Sequence, residues 1–317
     1  MKAAVVHAYD APPRYTQIDD PKPASDEVLI TVKAAALSQL VRLQAAGKHY
    51  SSPALPFVPG VDGVAYLESG ERVYFAFPAA PLGAMAEKTV VKAAYTVAIP
   101  DSVDDITAAA IANPGMSSWA ALLDRANMVR GESVLINGAT GASGRLAIQI
   151  AKHLGAGRIV VTGRNPASEA ELRLLGADEF IPLKQSEDEL VGQFRDEIAK
   201  GINIVLDYLW GPSAGAFIAA ATSHGAAKAA ARIRFVNIGS LGGTELALPA
   251  AALRSSGLEL MGSGLGSVSN AALVRAIGDM MKIVSRVGLQ IETRSAPLAE
   301  VETAWQEQSA ARLVFTV

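Results

Sequence analysis

The rhythm of hydrophobic and polar positions changes near residue 114. Before it, apolar runs are short and β-like: KAAVVHA, EVLITVKAAAL, GVAYL, ERVYFAF and EKTVVKA. Pro- and Gly-rich punctuation such as DDPKPASDE, PALPFVPG and PAAPLG separates them, which is how strands and tight turns read in sequence. The pattern predicts a small barrel-like β domain with one helix over residues 37–46. The phrase AIPDSVDDITAAAIAN closes this region. It predicts a strand, a capped turn and a helix start, with Ser102 as N-cap and Asp104 and Asp105 at the positive helix end.

After residue 114 strands and helices alternate. Helix SSWAALLDRAN precedes strand SVLING, helix SGRLAIQIAKHLG, strand RIVVTGR and helix SEAELRLLGA. Strand EFIPL, helix EDELVGQFRDEIAKG and strand INIVLDYL follow. The strands are continuous apolar runs, as strands covered by helices on both faces must be, so the fold class is α/β with a doubly wound parallel sheet. Beyond Phe235–Ser240 come a strand in LELMGS, a long helix in NAALVRAIGDMMKIVSRVG and a final strand in LVFTV. This tail is expected to rejoin the first domain. The division expected is therefore 1–113 and 253–317 around an inserted domain at 114–252.

A chain of 317 residues exceeds one ordinary core, so two domains suit its length. Half the residues are hydrophobic, which argues against disorder. A formal charge of −3 supplies no basic field for nucleic acid or anionic lipid. There is no cysteine, which excludes disulfides and thiolate metal sites. The histidines, His7, His49, His153 and His224, show no i, i+3 or i, i+4 pairing that could clamp a metal on a helix. The N-terminal residues lack the apolar core of a signal peptide, and no run approaches the roughly 18 apolar residues of a membrane span. A soluble, cytoplasmic protein is the expectation.

The phrase VLINGATGASGRLAIQIAKHLGA carries the most chemistry. It sets Gly138, Gly141 and Gly144 in a G-x-x-G-x-x-G run between an apolar strand and an amphipathic helix. In that context glycines permit a tight turn and close approach of backbone to a pyrophosphate, and the helix start offers free N–H groups. Residues 138–144, namely Gly138, Ala139, Thr140, Gly141, Ala142, Ser143 and Gly144, are thus candidate cofactor contacts. The bland reading is a tight strand-to-helix turn with no ligand. The next strand ends Thr162-Gly163-Arg164-Asn165. NAD-specific sites usually place a carboxylate there for the ribose diol. None is present, and Arg164 can grip a 2′-phosphate bidentately, so NADP(H) is expected as cofactor. A lone solvated loop arginine is the alternative.

The order of these parts resembles the medium-chain dehydrogenase/reductase superfamily, in its zinc-independent quinone oxidoreductase and enone reductase branch. The likeness spans nearly the whole chain: MKAAVVHAYDAPPRY, LPFVPGVDGVAYL, GMSSWAALL, NGATGASG and LLGAD occur in the family's order. It implies a Rossmann-type domain plus a β-rich GroES-like barrel domain, and a homodimer formed through edge strands of the cofactor domain. Zinc-dependent relatives carry Gly-His-Glu where this chain has Gly60-Val61-Asp62, and cysteines that this chain lacks. Without a Lewis acid to hold an isolated alkoxide, conjugated acceptors that spread the incoming charge are favoured. By resemblance, Ser38 would face the nicotinamide, Tyr50 would line the acceptor pocket, and Ser117 would lie near the nicotinamide ribose or amide. Backbone groups of Asn237, Ile238, Gly239 and Ser240 would flank the nicotinamide. Capping, turn chemistry or loop packing would explain the same side chains without any such role.

Other residues attract notice. His49 is a possible proton donor, whereas His153 lies too far along its helix to reach pyrophosphate. Asp207 reads as a loop-ordering carboxylate and Asp62 as structural. Arg312 stands where the family shows Gly-Lys, and the stretch SHGAAKAAARIRFVNIGS looks lengthened. A short-chain reductase is set aside, because its glycine motif opens the chain and no tyrosine here has Lys four positions later. The function expected is NADPH-dependent hydride transfer to a quinone or α,β-unsaturated carbonyl. The alternative is an NADPH-binding structural or regulatory protein, crystallin-like or RNA-binding.

Overall fold

The computed structural model describes residues 1–222 and 231–317. His224 and the first part of the lengthened stretch, residues 223–230, lie outside the described residues. Two compact units are present, Met1–Asn113 with Asn270–Val317, and Pro114–Ser269.

Along the chain come β1 (Lys2–Val5), β2 (Arg14–Gln17), β3 (Glu27–Ala36), α1 (Gln39–Ala45), β4 (Asp62–Leu67) and β5 (Arg72–Ala76). Then follow β6 (Lys88–Lys92), β7 (Thr96–Ala98) and α2 (Asp105–Ala120). Next are β8 (Ser133–Asn137), α3 (Ala142–Leu154), β9 (Arg158–Gly163), α4 (Glu169–Leu175), β10 (Glu179–Pro182) and α5 (Glu187–Ala199). They continue with β11 (Ile204–Asp207), α6 (Gly211–Thr222), β12 (Ile233–Asn237), α7 (Ala250–Arg254) and β13 (Leu258–Gly262). The tail holds α8 (Asn270–Met281), α9 (Val284–Val287), β14 (Thr293–Pro297), α10 (Val301–Ala304) and β15 (Arg312–Thr316).

In the first unit β14, β15, β3, β4, β5 and β7 form a mixed sheet, with β6 also paired to β3, and β1 and β2 form a separate hairpin. β15 runs antiparallel to β3, Val314 opposite Ala36, so the C-terminal tail completes this sheet. Its core gathers Ile30, Val32, Phe75, Met85, Leu313 and Phe315 on one face, the alternate positions of each strand.

The second unit is a six-stranded parallel sheet in the order β10-β9-β8-β11-β12-β13. This is the expected doubly wound arrangement, with the strand order reversing between β8 and β11. Continuous apolar strands such as Val134–Ile136 and Ile204–Leu206 are fully buried. Local signals place the helices. Ser186 and Glu189 form a reciprocal capping box at the start of α5, and Gly155, at φ +88°, ends α3 in the left-handed region that glycine tolerates.

Four expectations are corrected. The first helix is Gln39–Ala45, because Ser38 caps it from outside. The cap of α2 is Asp104, whose carboxylate takes the Thr107 N–H at 2.8 Å, whereas the Ser102 hydroxyl lies 2.9 Å from that of Ser285. SSWAALLDRAN is no separate helix: α2 runs through Pro114 and continues as a π turn, Ala121–Arg125. The return to the first unit comes at 270 and not 253. LELMG explains that shift, since it adds β13 in parallel register to β12, Ile233 opposite Leu258 through Asn237 opposite Gly262. Among the described residues no helix is long and apolar enough to cross a membrane.

Candidate functional site

The C-terminal edge of the parallel sheet is where ligands of such folds bind, at the reversal of strand order. β8 delivers the glycine loop there. Gly138 adopts φ +95°, and a Cβ on it would meet the Leu209 side chain at 2.8 Å. Gly144 has a different task. A Cβ there would stand 2.5 Å from Ala139 Cα and 2.6 Å from the Gly138 carbonyl oxygen, so only glycine lets α3 press against the end of β8. Gly141 is the N-cap and has no side chain to cap with. The N–H groups of Ala142, Ser143 and Gly144, in the first turn of α3, precede the first intrahelical bond, Arg145 N–H to the Gly141 carbonyl at 3.0 Å. They are the donors that an anion at a helix start uses. Thr140 is held from behind, because Arg145 Nε donates to its carbonyl at 2.9 Å.

At the end of β9 the backbone of Gly163 is packed between Thr140 and Phe180, each of which a Cβ would meet at 2.8 Å. Arg164 and Asn165 are exposed. Asn165 caps the following turn by accepting from the Ala167 N–H at 3.1 Å. The acidic phrase ASEAELR does not neutralise Arg164. Glu169 pairs with Arg173 at 2.8 Å and Glu171 pairs with Arg145, and among the described residues Arg164 has no ion-pair partner. The charge it offers is uncommitted, which suits a phosphate in a way that a carboxylate at this point could not.

Several candidates play supporting parts instead. Ala139, Gly144, Thr162 and Gly163 are buried and shape the loop rather than face a ligand. The Thr162 hydroxyl is fully buried, donates to Asn137 Oδ1 at 2.8 Å and accepts from the Gly138 N–H at 2.9 Å, so its proton is committed to holding the loop. The N–H groups of Ile238 and Gly239 are likewise taken, both by the Asp207 carbonyl, at 2.7 and 3.2 Å. The Asn237 amide donates to Asp207 Oδ2 and to the Gly239 carbonyl, each at 2.9 Å. Among the described residues the Ile238 carbonyl and the Ser240 N–H remain unpartnered, an acceptor and a donor near the sheet's edge.

Ser117 gives its proton to the Pro114 carbonyl at 2.6 Å. The Tyr208 hydroxyl lies 3.4 Å from Ser117 Oγ, so Tyr208 is the donor of that pair. Burial pushes the Tyr208 phenol up to about 12, which keeps it protonated. In the first unit the buried Ser38 Oγ accepts from the Val41 N–H at 3.1 Å, the capping role, and its own proton has no partner among the described residues. Tyr50 is 81% exposed, its ring 4.2 Å from that of His49. His49 Nδ1 accepts from the Ser51 N–H at 3.2 Å and lies 2.8 Å from Ser51 Oγ. A backbone N–H can only donate, so the neutral ring carries its proton on Nε2, and burial pulls the His49 pKa down. That leaves His49 a poor proton donor at neutral pH. Asp62 accepts from the Tyr74 hydroxyl within the first unit's sheet. Burial pushes its carboxyl up, against the pull of Tyr74 and of the Arg312 charge nearby.

Sequence reasoning missed Asn137 and Arg145, which orient the loop from beneath. Their polar type in an apolar setting was the only local signal.

The sequence matches the family described as zinc-binding dehydrogenase over residues 142–278. It is 30% identical to an Emericella nidulans protein described as a "probable NADPH-dependent quinone reductase", over 97% of this chain and 97% of that protein. The chain belongs to the quinone oxidoreductase branch of the medium-chain dehydrogenase/reductase superfamily. Its fold is that of a mycobacterial quinone oxidoreductase, with a TM-score of 0.85 at 21% identity and full coverage of both chains. A Thermus thermophilus quinone oxidoreductase, solved also in complex with NADPH, superposes with a TM-score of 0.81 at 24% identity, again over both full chains. The zinc named in the matched family does not fit the residues present. Cysteine is missing from the sequence, the single carboxylate of Gly60-Val61-Asp62 is engaged by Tyr74, and among the described residues no three metal-ligating side chains gather.

Proposed function

We propose that this oxidoreductase is an NADPH-dependent, zinc-independent reductase that passes hydride to a quinone or an α,β-unsaturated carbonyl. The observation carrying the reading is the glycine cradle beside an uncommitted Arg164, at the C-terminal edge of a parallel sheet. The first-turn N–H groups of α3 would take the pyrophosphate, and Arg164 with Asn165 the 2′-phosphate. The Ile238 carbonyl and the Ser240 N–H would meet the carboxamide, which presents one donor group and one acceptor. When bound, NADPH supplies the hydride. Ser117, whose own proton is spent on Pro114, can only accept, which fits an amide or ribose donor. Ser38 retains a proton it can give to a carbonyl oxygen, and the exposed Tyr50 hydroxyl is a second donor. A conjugated acceptor delocalises the arriving charge, so such donors suffice without a metal. The chain is proposed to act in the cytoplasm as a homodimer formed through an edge strand of the parallel sheet.

The test is loss of NADPH absorbance against a benzoquinone, a naphthoquinone, a 2-alkenal and an enone, with NADH in parallel. Turnover that prefers NADPH is the expected result. Saturable NADPH binding with no turnover of any acceptor would instead favour a structural or regulatory, crystallin-like or RNA-binding role.

A further inference from the structure

The last rung of the parallel sheet is polar where the strands beneath it are apolar. Asn137 lies in register with Asp207, and Asp207 with Asn237; Thr162 follows Val161, which pairs with Ile136. The four therefore form one row across β9, β8, β11 and β12, and the row spans the point where strand order reverses. Within it Thr162 donates to Asn137, Asn137 Nδ2 donates to Asp207 Oδ1 at 2.8 Å, and Asn237 Nδ2 donates to Asp207 Oδ2 at 2.9 Å. The Leu209 and Trp210 N–H groups also donate to the Asp207 carboxylate, each at 3.1 Å. Every neighbour is an N–H donor, so the site accepts a carboxylate and opposes any group that carries a hydrogen of its own. Asp207 is fully buried. A polar row at this depth costs stability compared with apolar packing unless every member is satisfied, and simple loop ordering would not need it to cross four strands.

We propose that Asp207 is a positioning residue that fixes the nicotinamide end of the cofactor site relative to its adenine end. The proposal rests on the NADPH reading above. The adenine side is tied to β9 independently of Asp207, by the Gly138 N–H to the Thr162 hydroxyl and by the Ala139 N–H to the Thr162 carbonyl, both at 2.9 Å. On the nicotinamide side, the Asn237 amide that meets Asp207 also holds the Gly239 carbonyl. Asp207 thus grips the segment 237–240 through its carboxylate. Replacing one carboxylate oxygen by an amide nitrogen sets donor against donor on one side and frees that segment.

The experiment is a binding titration of wild type, Asp207→Asn, Asn237→Ala and Thr162→Val, with NADPH and with 2′,5′-ADP, which carries only the adenine half. In Asp207→Asn the NADPH Kd is expected to rise about tenfold while that of 2′,5′-ADP stays within about twofold. Asn237→Ala, which leaves the carboxylate in place, should repeat the split if Asp207→Asn fails to fold. Thr162→Val, on the adenine side, should weaken both ligands alike. Equal weakening of both ligands by Asp207→Asn and by Asn237→Ala would overturn the positioning role and leave a generally loosened sheet. An unchanged NADPH Kd in both variants, with wild type binding, would overturn it too. Failure of wild type to bind NADPH at all would sink the cofactor reading and this proposal with it.

Discussion

At Gly144 a single methyl group decides whether the cofactor loop can close. Its Cβ would meet two backbone groups, Ala139 Cα and the Gly138 carbonyl, and neither can rotate aside. Gly144→Ala is expected to lower the melting temperature and to raise the NADPH KM about tenfold or more, since the loop must move to admit the methyl. Thermal unfolding and steady-state kinetics on one preparation test both halves. Arg164 acts differently, because it is exposed and supports nothing in the fold. Arg164→Ala should raise the NADPH KM by about tenfold to a hundredfold, the weight of charge-assisted bonds to phosphate, with kcat and the NADH KM nearly unchanged. An equal loss with NADH would refute the 2′-phosphate assignment. Both residues were legible in the sequence, because glycine spacing and the missing carboxylate are local signals. Thr162 was not, since its partner Asn137 is 25 positions away and only strand register brings the two together.

Among elements, α5 is fastened to β9 by Glu197. This carboxylate is 4% exposed. It pairs with Arg158 and, at 2.8 Å, with Lys200. Burial alone would raise its pKa, but the hydrogen bonds from Arg158 and Lys200 outweigh that and hold it below its ordinary 4.5. A depressed folded pKa adds stability that is present above the unfolded value and lost as pH falls through the folded one. Glu197→Gln should therefore destabilise by about 1–3 kcal/mol at neutral pH, with the gap to wild type closing on acidification below the folded pKa. A gap that stays constant with pH would mean that lost packing, not the ion pairs, is responsible. The alternation of strands and helices was readable because strands covered on both faces must be apolar throughout. The boundary of the tail is hidden in the sequence for a related reason. LELMG is a short, half-exposed edge strand, so neither a full apolar run nor an alternating one announced which sheet it joins. Ser102 and Asp104 are residue types that cap equally well, and only geometry separates them at the start of α2.

For the whole molecule, the second unit leaves Leu241, Leu253 and Leu265 exposed, on or beside the chain that leads into and out of β13, an edge of the parallel sheet. Exposed apolar side chains near an open edge are what a dimer formed through that edge, as proposed above, would cover. Light scattering after size exclusion is expected to give twice the 32.9 kDa of one chain, and Leu253→Glu should shift the mass toward a single chain. A wild-type mass of one chain would count against the dimer. The homodimer is expected from the family resemblance alone, and no local residue pattern marks its surface. An edge strand is defined by the neighbour it lacks, and that is a property of the assembled sheet.

One consequence of composition reaches beyond the fold. Quinones and unsaturated carbonyls are Michael acceptors, and the nucleophile they consume fastest in proteins is thiolate. Sulfur occurs in this chain only as the thioethers of seven methionines, which do not form stable adducts of that kind. A catalyst that handles such electrophiles can be inactivated by its own substrate between turnovers. With no thiol in the chain, a reductase of the proposed kind would be spared that route of self-poisoning.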